Sequence, residues 1–341
     1  MDTRVGGGSS TMQAAVLRTI PAARLDVAQV PAPVLDGPAE LLVRVEACGI
    51  CGTDLHIVAG SSYRPSPPFV LGHETVGVVV DATRDAADWL GRRVTMTNFT
   101  GCGRCATCRA GDERLCPDLR SITGVLGAWG GFADRVRIHR AQAVEVPAGL
   151  DAIAAASLVD AGPTAANSVR MALARAPGRV LVVGAGPIGF LCAELLRVAG
   201  VPVDVVHPSP LRRAALAALG HRVVPSFDDA EAAYDVVIDC AGVPDVIVPG
   251  IARLGPRGEY LLAGYAKAPD LDLAAVARKE AVIRGVRSGR RDDLETALRM
   301  AADASIRLPE ITTWPLPEIN AALDALRAHA VPGKAVIVPE A

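Results

Sequence analysis

The sequence predicts an α/β protein in two parts: a β-rich region that opens and closes the chain, and a doubly wound parallel sheet between. Three observations predict it. Short alternating or apolar runs, punctuated by Pro and Gly, fill residues 13–46 and recur up to about residue 146. From about residue 151, strands alternate with Ala-rich helical stretches, which implies a parallel sheet covered on both faces. A glycine turn, GAGPIG at 184–189, follows the strand RVLVV and opens a helix.

In order, AAVLRTI, RLDVAQV and ELLVRVEA read as strands, followed by FVLGHETVGVVVDA, RRVTMTNF and AQAVEVP. DAIAAASLVDAGPTAANSVRMALARA reads as helices. VDVVHP is a strand, LRRAALAALG a helix and YDVVIDCAG a strand. PDVIVPGIARLG is helical, and GEYLLAGY and VIRGVR are strands. Helices DDLETALRMAADA and PEINAALDALRAH and strands ITTWPL and KAVIVP close the chain. Residues 1–11 read as a flexible tail.

With 341 residues, half of them hydrophobic, two domains of ordinary size can each bury a core. A net charge of −2 and a pI near 6.3 offer no surface for a polyanion, so no nucleic-acid partner is expected. The longest uncharged apolar stretch, residues 180–193, holds three glycines and is too short to span a bilayer. The amino terminus carries no apolar run of a secretion signal. A cytoplasmic location is therefore expected. Thiols stay reduced there, so eight cysteines point to metal before disulfides.

Four of them, Cys102, Cys105, Cys108 and Cys116, follow the spacing C-x2-C-x2-C-x7-C. Four thiolates complete a tetrahedron around Zn²⁺ and leave no open position, which makes a structural site in a lobe at about 98–117. In GAGPIG, Gly184 permits the tight turn, Gly186 lets a pyrophosphate approach, and Gly189 lets helix and strand pack closely. Pro187 and Ile188 start the helix whose amino terminus faces the phosphates. CGICGTDLH at 48–56 offers Cys51 as a thiolate, and LGHETVG at 71–77 offers His73 with Glu74 beside it. Taken alone, such a Cys and His are more often structural than ligating.

Together, GICGTDLH, GHETVG, the cysteine lobe, WGGFADRV and VGAGPIG resemble, in that order, the zinc-dependent medium-chain dehydrogenase/reductases. The resemblance covers essentially residues 12–341. It implies a GroES-like β-rich catalytic domain at 12–160 and 288–341, with a Rossmann domain at 161–287. It also implies a zinc-dependent NAD(P)(H) oxidoreductase that interconverts a secondary alcohol and a ketone by hydride transfer, with two zinc ions per chain. Cys51 and His73 become ligands of the catalytic zinc. The third ligand, Cys or Glu in relatives, is replaced here by Asp160 in SLVDAGPTAA. Either Asp160 binds zinc directly, or a water or Glu74 completes the shell; Asp160 also reads as a helix N-cap. Asp54 is expected to orient His73. Thr53 and His56 match the family's hydroxyl relay and its solvent-end histidine. Cys48, Cys192 and Cys240 read as small buried residues.

Asn98 stands where some alcohol dehydrogenases line a hydrophobic pocket with an aromatic, so a polyol, sugar or cyclitol-like substrate is expected. Simple primary or secondary alcohols are the rival reading. A catalytically silent nucleotide-binding protein is a third, opposed by the intact Cys51, Thr53, His56 and His73. The family's habits imply a homodimer or homotetramer. The family register places His207 at the end of the second Rossmann strand, and no acid occurs from 205 to 227. HPSPLRR instead offers Ser209, Arg212 and Arg213 to a 2′-phosphate, so NADP(H) is favoured over NAD(H). Asp204 lies inside the strand and reads as structural.

Overall fold

A computed structural model describes residues 11–231, 233–264 and 271–339. Most of the expected tail lies outside the described residues, as does Tyr265 at the end of GEYLLAGY. Thr11 does not belong to a tail: it begins the first strand, Thr11–Leu17.

The β-rich region holds a small sheet and a large one. In the small sheet, Thr11–Leu17 pairs antiparallel with Asp26–Pro31 and Phe69–Val70. The large sheet is organised around Glu40–Ile50, which pairs antiparallel with Glu74–Ala82, Arg135–His139 and the last strand, Lys334–Val338. The chain's end thus returns to complete the sheet its beginning started: Ala335 lies opposite Ile50 and Ile337 opposite Cys48. Both faces are buried. Leu41, Val43 and Ile337 pack with Phe69 and Phe132, while Ala47, Val76 and Val336 pack towards the helix Ala152–Ala156. The two-residue side-chain period sorts neighbours onto these two cores.

The second part is a six-stranded sheet in which every pairing is parallel. Its order is Arg222–Val224, Val203–Val206, Val180–Val183, Tyr234–Asp239, Leu254–Leu262, Val282–Gly285. In chain order this is third, second, first, fourth, fifth, sixth. Direction reverses between the first and fourth strands, and the crevice at their carboxyl ends is where such sheets take ligands. Val180 and Val182 face one helical layer and Leu181 and Val183 the other, which explains the unbroken apolar run.

The two-part α/β organisation is the predicted one. Several short elements are additions to it, strand Arg135–His139 among them, and three show why the sequence does not announce them. Strand Arg222–Val224 has only three residues and carries Arg222, which pairs with Asp204 instead of presenting an apolar face. Helix Gly52–Val58 is capped by a sulfur, not by a usual oxygen. Helix Leu273–Lys279, capped by Asp272, buries none of its residues, so no apolar stripe announces it.

Candidate active site

Strand Glu40–Ile50 delivers Cys51 to the N-cap of helix Gly52–Val58. The Thr53 N–H donates to Cys51 Sγ at 3.2 Å, and the Cys51 N–H donates to Asp54 Oδ2 at 2.9 Å. His73 sits just before strand Glu74–Ala82, beside the same strand end. Its Nε2 lies 3.4 Å from Cys51 Sγ and its Nδ1 lies 3.5 Å from Asp54 Oδ1.

Asp160 occupies the N-cap position of helix Ala161–Leu173, yet its carboxylate makes no capping bond. The side chain joins the cluster instead. Single ligand atoms of Cys51, His73, Glu74 and Asp160 all lie within 4.8 Å of one another. Glu74 is fully buried because Gly49, opposite it on the neighbouring strand, leaves room: a Cβ there would lie 1.9 Å from Glu74 Oε2. Lys334 Nζ, also buried, donates to Glu74 Oε1 at 2.6 Å. Sequence alone does not single out Lys334; its one signal is a cation heading the apolar strand KAVIV. Burial pushes the Glu74 carboxyl up, against the pull of Lys334. Burial also opposes charge on His73, but the Cys51 sulfur and Asp54 hold its imidazole well above its ordinary range.

These groups open on a cleft of about 450 Å³ whose walls include Thr53, His56, Asn98, Phe99, Arg287 and Ser288. His56 is exposed, with Nδ1 3.4 Å from Ser61 Oγ. Asn98 is buried, and its Oδ1 has no hydrogen-bond partner among the described residues.

The four lobe sulfurs likewise lie within 4.8 Å of one another, with Cys105 and Cys116 Sγ 3.8 Å apart. Backbone N–H groups of Cys102, Cys105 and Cys108 point at neighbouring sulfurs at 3.3–3.4 Å. The lobe is docked against the cleft wall. Arg114 donates to the carbonyls of Arg287 and, at 2.9 Å, Ser288, and Asp112 binds both Arg114 and Arg290.

The glycine turn has the required shape. Gly184 adopts φ +98°, and a Cβ on Gly189 would lie 1.8 Å from the Gly184 carbonyl. Gly186 caps helix Pro187–Val198 without any side-chain partner, so the first amides are left for a ligand. Beside it lies a cavity of about 800 Å³ lined by Gly184, Gly186, His207, Ser209, Arg212 and His329. Cys240 and Ala241 line both cavities. Cys240 is therefore not a core residue, whereas Cys192, 4.0 Å away through sulfur, is buried. Arg213 does not line the cavity; its guanidinium turns back to the carbonyls of His207 and Pro208. Asp204 also stays away from it, bound to the Tyr234 hydroxyl, Arg179 and Arg222. Burial, with help from Arg212, Arg213 and His329, pushes the His207 imidazole down to about 4.

Residues 37–148 match the family model "Alcohol dehydrogenase GroES-like domain", and residues 187–303 match "Zinc-binding dehydrogenase". The chain is 30% identical over 298 residues to 2-dehydro-3-deoxy-L-galactonate 5-dehydrogenase of Pseudoalteromonas atlantica, covering 83% of this chain and 86% of that one. It is 30% identical over 306 residues to L-galactonate-5-dehydrogenase of Escherichia coli, covering 85% and 87%. The crystal structure of an alcohol dehydrogenase from Aeropyrum pernix superposes with a TM-score of 0.87 at 28% identity, over 96% of this chain and all of that one. Fold, glycine turn and relatives agree: the chain belongs to the medium-chain dehydrogenase/reductase family and is an oxidoreductase that interconverts alcohols and ketones.

Proposed function

We propose that this enzyme is a zinc-dependent, NADP(H)-preferring dehydrogenase of a polyhydroxylated secondary alcohol. The observation that carries the reading is the convergence of Cys51, His73 and Asp160 on a cleft that meets the glycine-turn cavity. The donor set fits zinc. Tetrahedral bonds to sulfur and nitrogen space those atoms about 3.6 Å apart, and Cys51 and His73 stand at 3.4 Å. Cys51, His73 and Asp160 would hold the ion, while Lys334 retains Glu74. Bound there, zinc supplies a Lewis acid for the alcohol oxygen.

The chain's own residues do the rest. Asp54 faces His73 Nδ1 and fixes which nitrogen is free. The Thr53 hydroxyl takes the substrate proton in the cleft, and exposed His56 hands it to solvent. Asn98 Oδ1, buried and unpartnered, accepts a substrate hydroxyl. The helix amides after Gly186 hold the dinucleotide pyrophosphate. His207, Arg212 and His329 line the adenosine end, and none of the described residues lining it is a carboxylate, which suits a 2′-phosphate.

A second zinc belongs in the lobe, where the 3.8 Å between two sulfurs matches the roughly 3.8 Å of a tetrahedral Zn–thiolate site. The seam between domains at 160 and 288 is supported by Asn167, which donates to the Ser288 carbonyl across it at 2.7 Å. Exposed Val282 and Ile283 on the edge strand support a homodimer or homotetramer. Eight free cysteines suit the cytoplasm, and among the described residues no helix is long and apolar enough to cross a membrane.

The test is elemental analysis together with a panel of alditols, aldonates, cyclitols and simple alcohols, each with NADP and NAD. Two zincs per chain and turnover of hydroxylated substrates are expected. Turnover confined to simple alcohols would return the enzyme to the rival reading.

A further inference from the structure

We propose that Arg287 recognises a carboxylate on the substrate, so that the enzyme acts on polyhydroxy acids of the aldonate class in preference to neutral polyols. The proposal rests on the alcohol-dehydrogenase reading of the same cleft and names its substrate. Arg287 follows Val286, whose N–H bonds the Leu262 carbonyl, and so stands just past the carboxyl end of the parallel sheet. It lines the catalytic cleft with Ser288 and Asn98. Its guanidinium lies 5.2 Å from the centre of the Phe99 ring, and Nη1 donates to the Arg114 carbonyl at 2.6 Å.

Those two contacts hold the fork in place and leave most of its N–H donors without a partner among the described residues. The other arginines nearby each have a carboxylate partner: Arg114 and Arg290 share Asp112, and Arg170 pairs with Asp293. Arg287 has no such acid among the described residues. Within the cleft lining the one described carboxylate, Asp160, is in the Cys51–His73 cluster. A cation fixed by a ring and a backbone carbonyl, in a cleft whose other polar walls include hydroxyls and an unpartnered amide, is built for an anion. A planar fork favours a carboxylate, which it binds bidentately. Phe99 adjoins Asn98, so the same short stretch presents the cation and the hydroxyl acceptor. The phosphates of the dinucleotide are the competing anion source, and the experiment separates them.

Binding to the zinc-loaded enzyme–NADPH complex is measured by NADPH fluorescence, with D-gluconate and L-galactonate against D-glucitol and galactitol. This readout does not need turnover. The aldonates should bind the wild type at least ten-fold more tightly than the alditols. Arg287→Gln should weaken aldonate binding by roughly 10- to 100-fold, the range of a charge-assisted hydrogen bond, and alditol binding by less than about two-fold. Arg287→Lys covers the case in which the Gln variant does not fold; it keeps the charge and loses the fork, and a smaller loss selective for aldonates is expected. Equal binding of acid and alditol by the wild type overturns the proposal, as does an equal loss for both in the variants. Weakened NADPH binding with aldonate selectivity intact would assign the guanidinium to the dinucleotide and also overturn it. If aldonates bind in an Arg287-dependent way and no alcohol in the panel is oxidised, the dehydrogenase reading fails while Arg287 keeps its role.

Discussion

Arg287 and Arg114 hold each other reciprocally: Arg287 Nη1 donates to the Arg114 carbonyl at 2.6 Å, and the Arg114 guanidinium donates to the carbonyls of Arg287 and Ser288. One partner belongs to the cysteine lobe and the other to the wall of the catalytic cleft. The lobe has a tiny apolar core, three buried cysteines with Cys105 and Leu119 against them. It cannot hold Arg114 in place by burial alone. The four sulfurs therefore bear on the position of the cleft wall.

If the lobe holds the proposed second zinc, removing one of its cysteines should cost stability, because metal binding would supply folding free energy to a segment with so little core. Cys102→Ser is expected to lower the melting temperature markedly and to leave one zinc per chain. Cys51→Ser should abolish turnover with a melting temperature close to wild type. Thermal melts paired with elemental analysis check this, and the opposite pattern would exchange the roles of the two sites.

Glu194 offers a test of the Rossmann half. Its carboxylate is fully buried on helix Pro187–Val198 and accepts from His221, Arg197 and Arg307, the last through backbone and side chain. Burial alone would raise its pKa, but His221, Arg307 and Arg197 hold it well below the usual carboxylate range. A group with a depressed folded pKa contributes stability above its unfolded value, about 4.3, and loses that contribution as pH falls below it. Glu194→Gln should therefore cost about 3 kcal/mol at pH 7 by urea denaturation. The gap from wild type should narrow as pH drops below about 4. A gap that stays constant with pH would remove the ionised carboxylate from the account.

Much of this arrangement was legible in the sequence, and the reasons are local. GAGPIG between an apolar strand and a helix has one structural meaning, and the cysteine spacing brings four sulfurs together with little help from the rest of the chain. Cys51, His73 and Asp160 lie on segments far apart in the chain, and only the family's motif order joined them in advance. Lys334 and Arg287 were not legible. Each acts across a long sequence separation, Lys334 on Glu74 through 260 residues and Arg287 on Arg114 through 173. No periodicity in one segment reports a partner in another. Cys240 departs from its expected place for a related reason: a small thiol after an apolar strand looks like core, whereas the strand ends there and the residue lines the crevice.

Asp160 separates two outcomes cleanly. As a zinc ligand it is needed for both metal and rate, so Asp160→Ala should retain about one zinc, in the lobe, and lose activity. Its side chain makes no capping bond, so helix Ala161–Leu173 should keep its stability. Two zincs and near-normal rates in that variant would reduce Asp160 to a bystander in the cluster.

On the proposed proton route, Thr53 takes the proton and His56 hands it on. Thr53→Ala should slow the chemical step strongly, since no other hydroxyl adjoins Cys51 in sequence. His56→Ala should slow turnover by roughly ten-fold, and imidazole buffer should restore part of the rate because His56 is exposed to solvent. A buffer-insensitive variant with the wild-type pH profile would take His56 out of the route.

On the proposed NADP(H) preference, cofactor choice turns on the cavity at the end of strand Val203–Val206. Arg212 is in place there: it lies against Gly186, and its Nη2 donates to the Val331 carbonyl at 3.3 Å. His329 reaches the same cavity from the segment after helix Ile319–Arg327, outside the Rossmann sheet. With His207 they surround a space where a 2′-phosphate would be welcome and a ribose diol would find no carboxylate among the described lining residues. Arg213, tied to two backbone carbonyls, is left out. Arg212→Ala should therefore lower kcat/KM for NADP by roughly 10- to 100-fold and change NAD use far less. His329→Ala should weaken NADP binding, because His329 lines the same cavity, and Arg213→Ala should do little. Steady-state kinetics with NADP and NAD, together with fluorescence titration of NADPH and NADH, read all three. A wild-type enzyme that favours NAD ten-fold or more would end the NADP reading and make the cationic cavity the feature to explain.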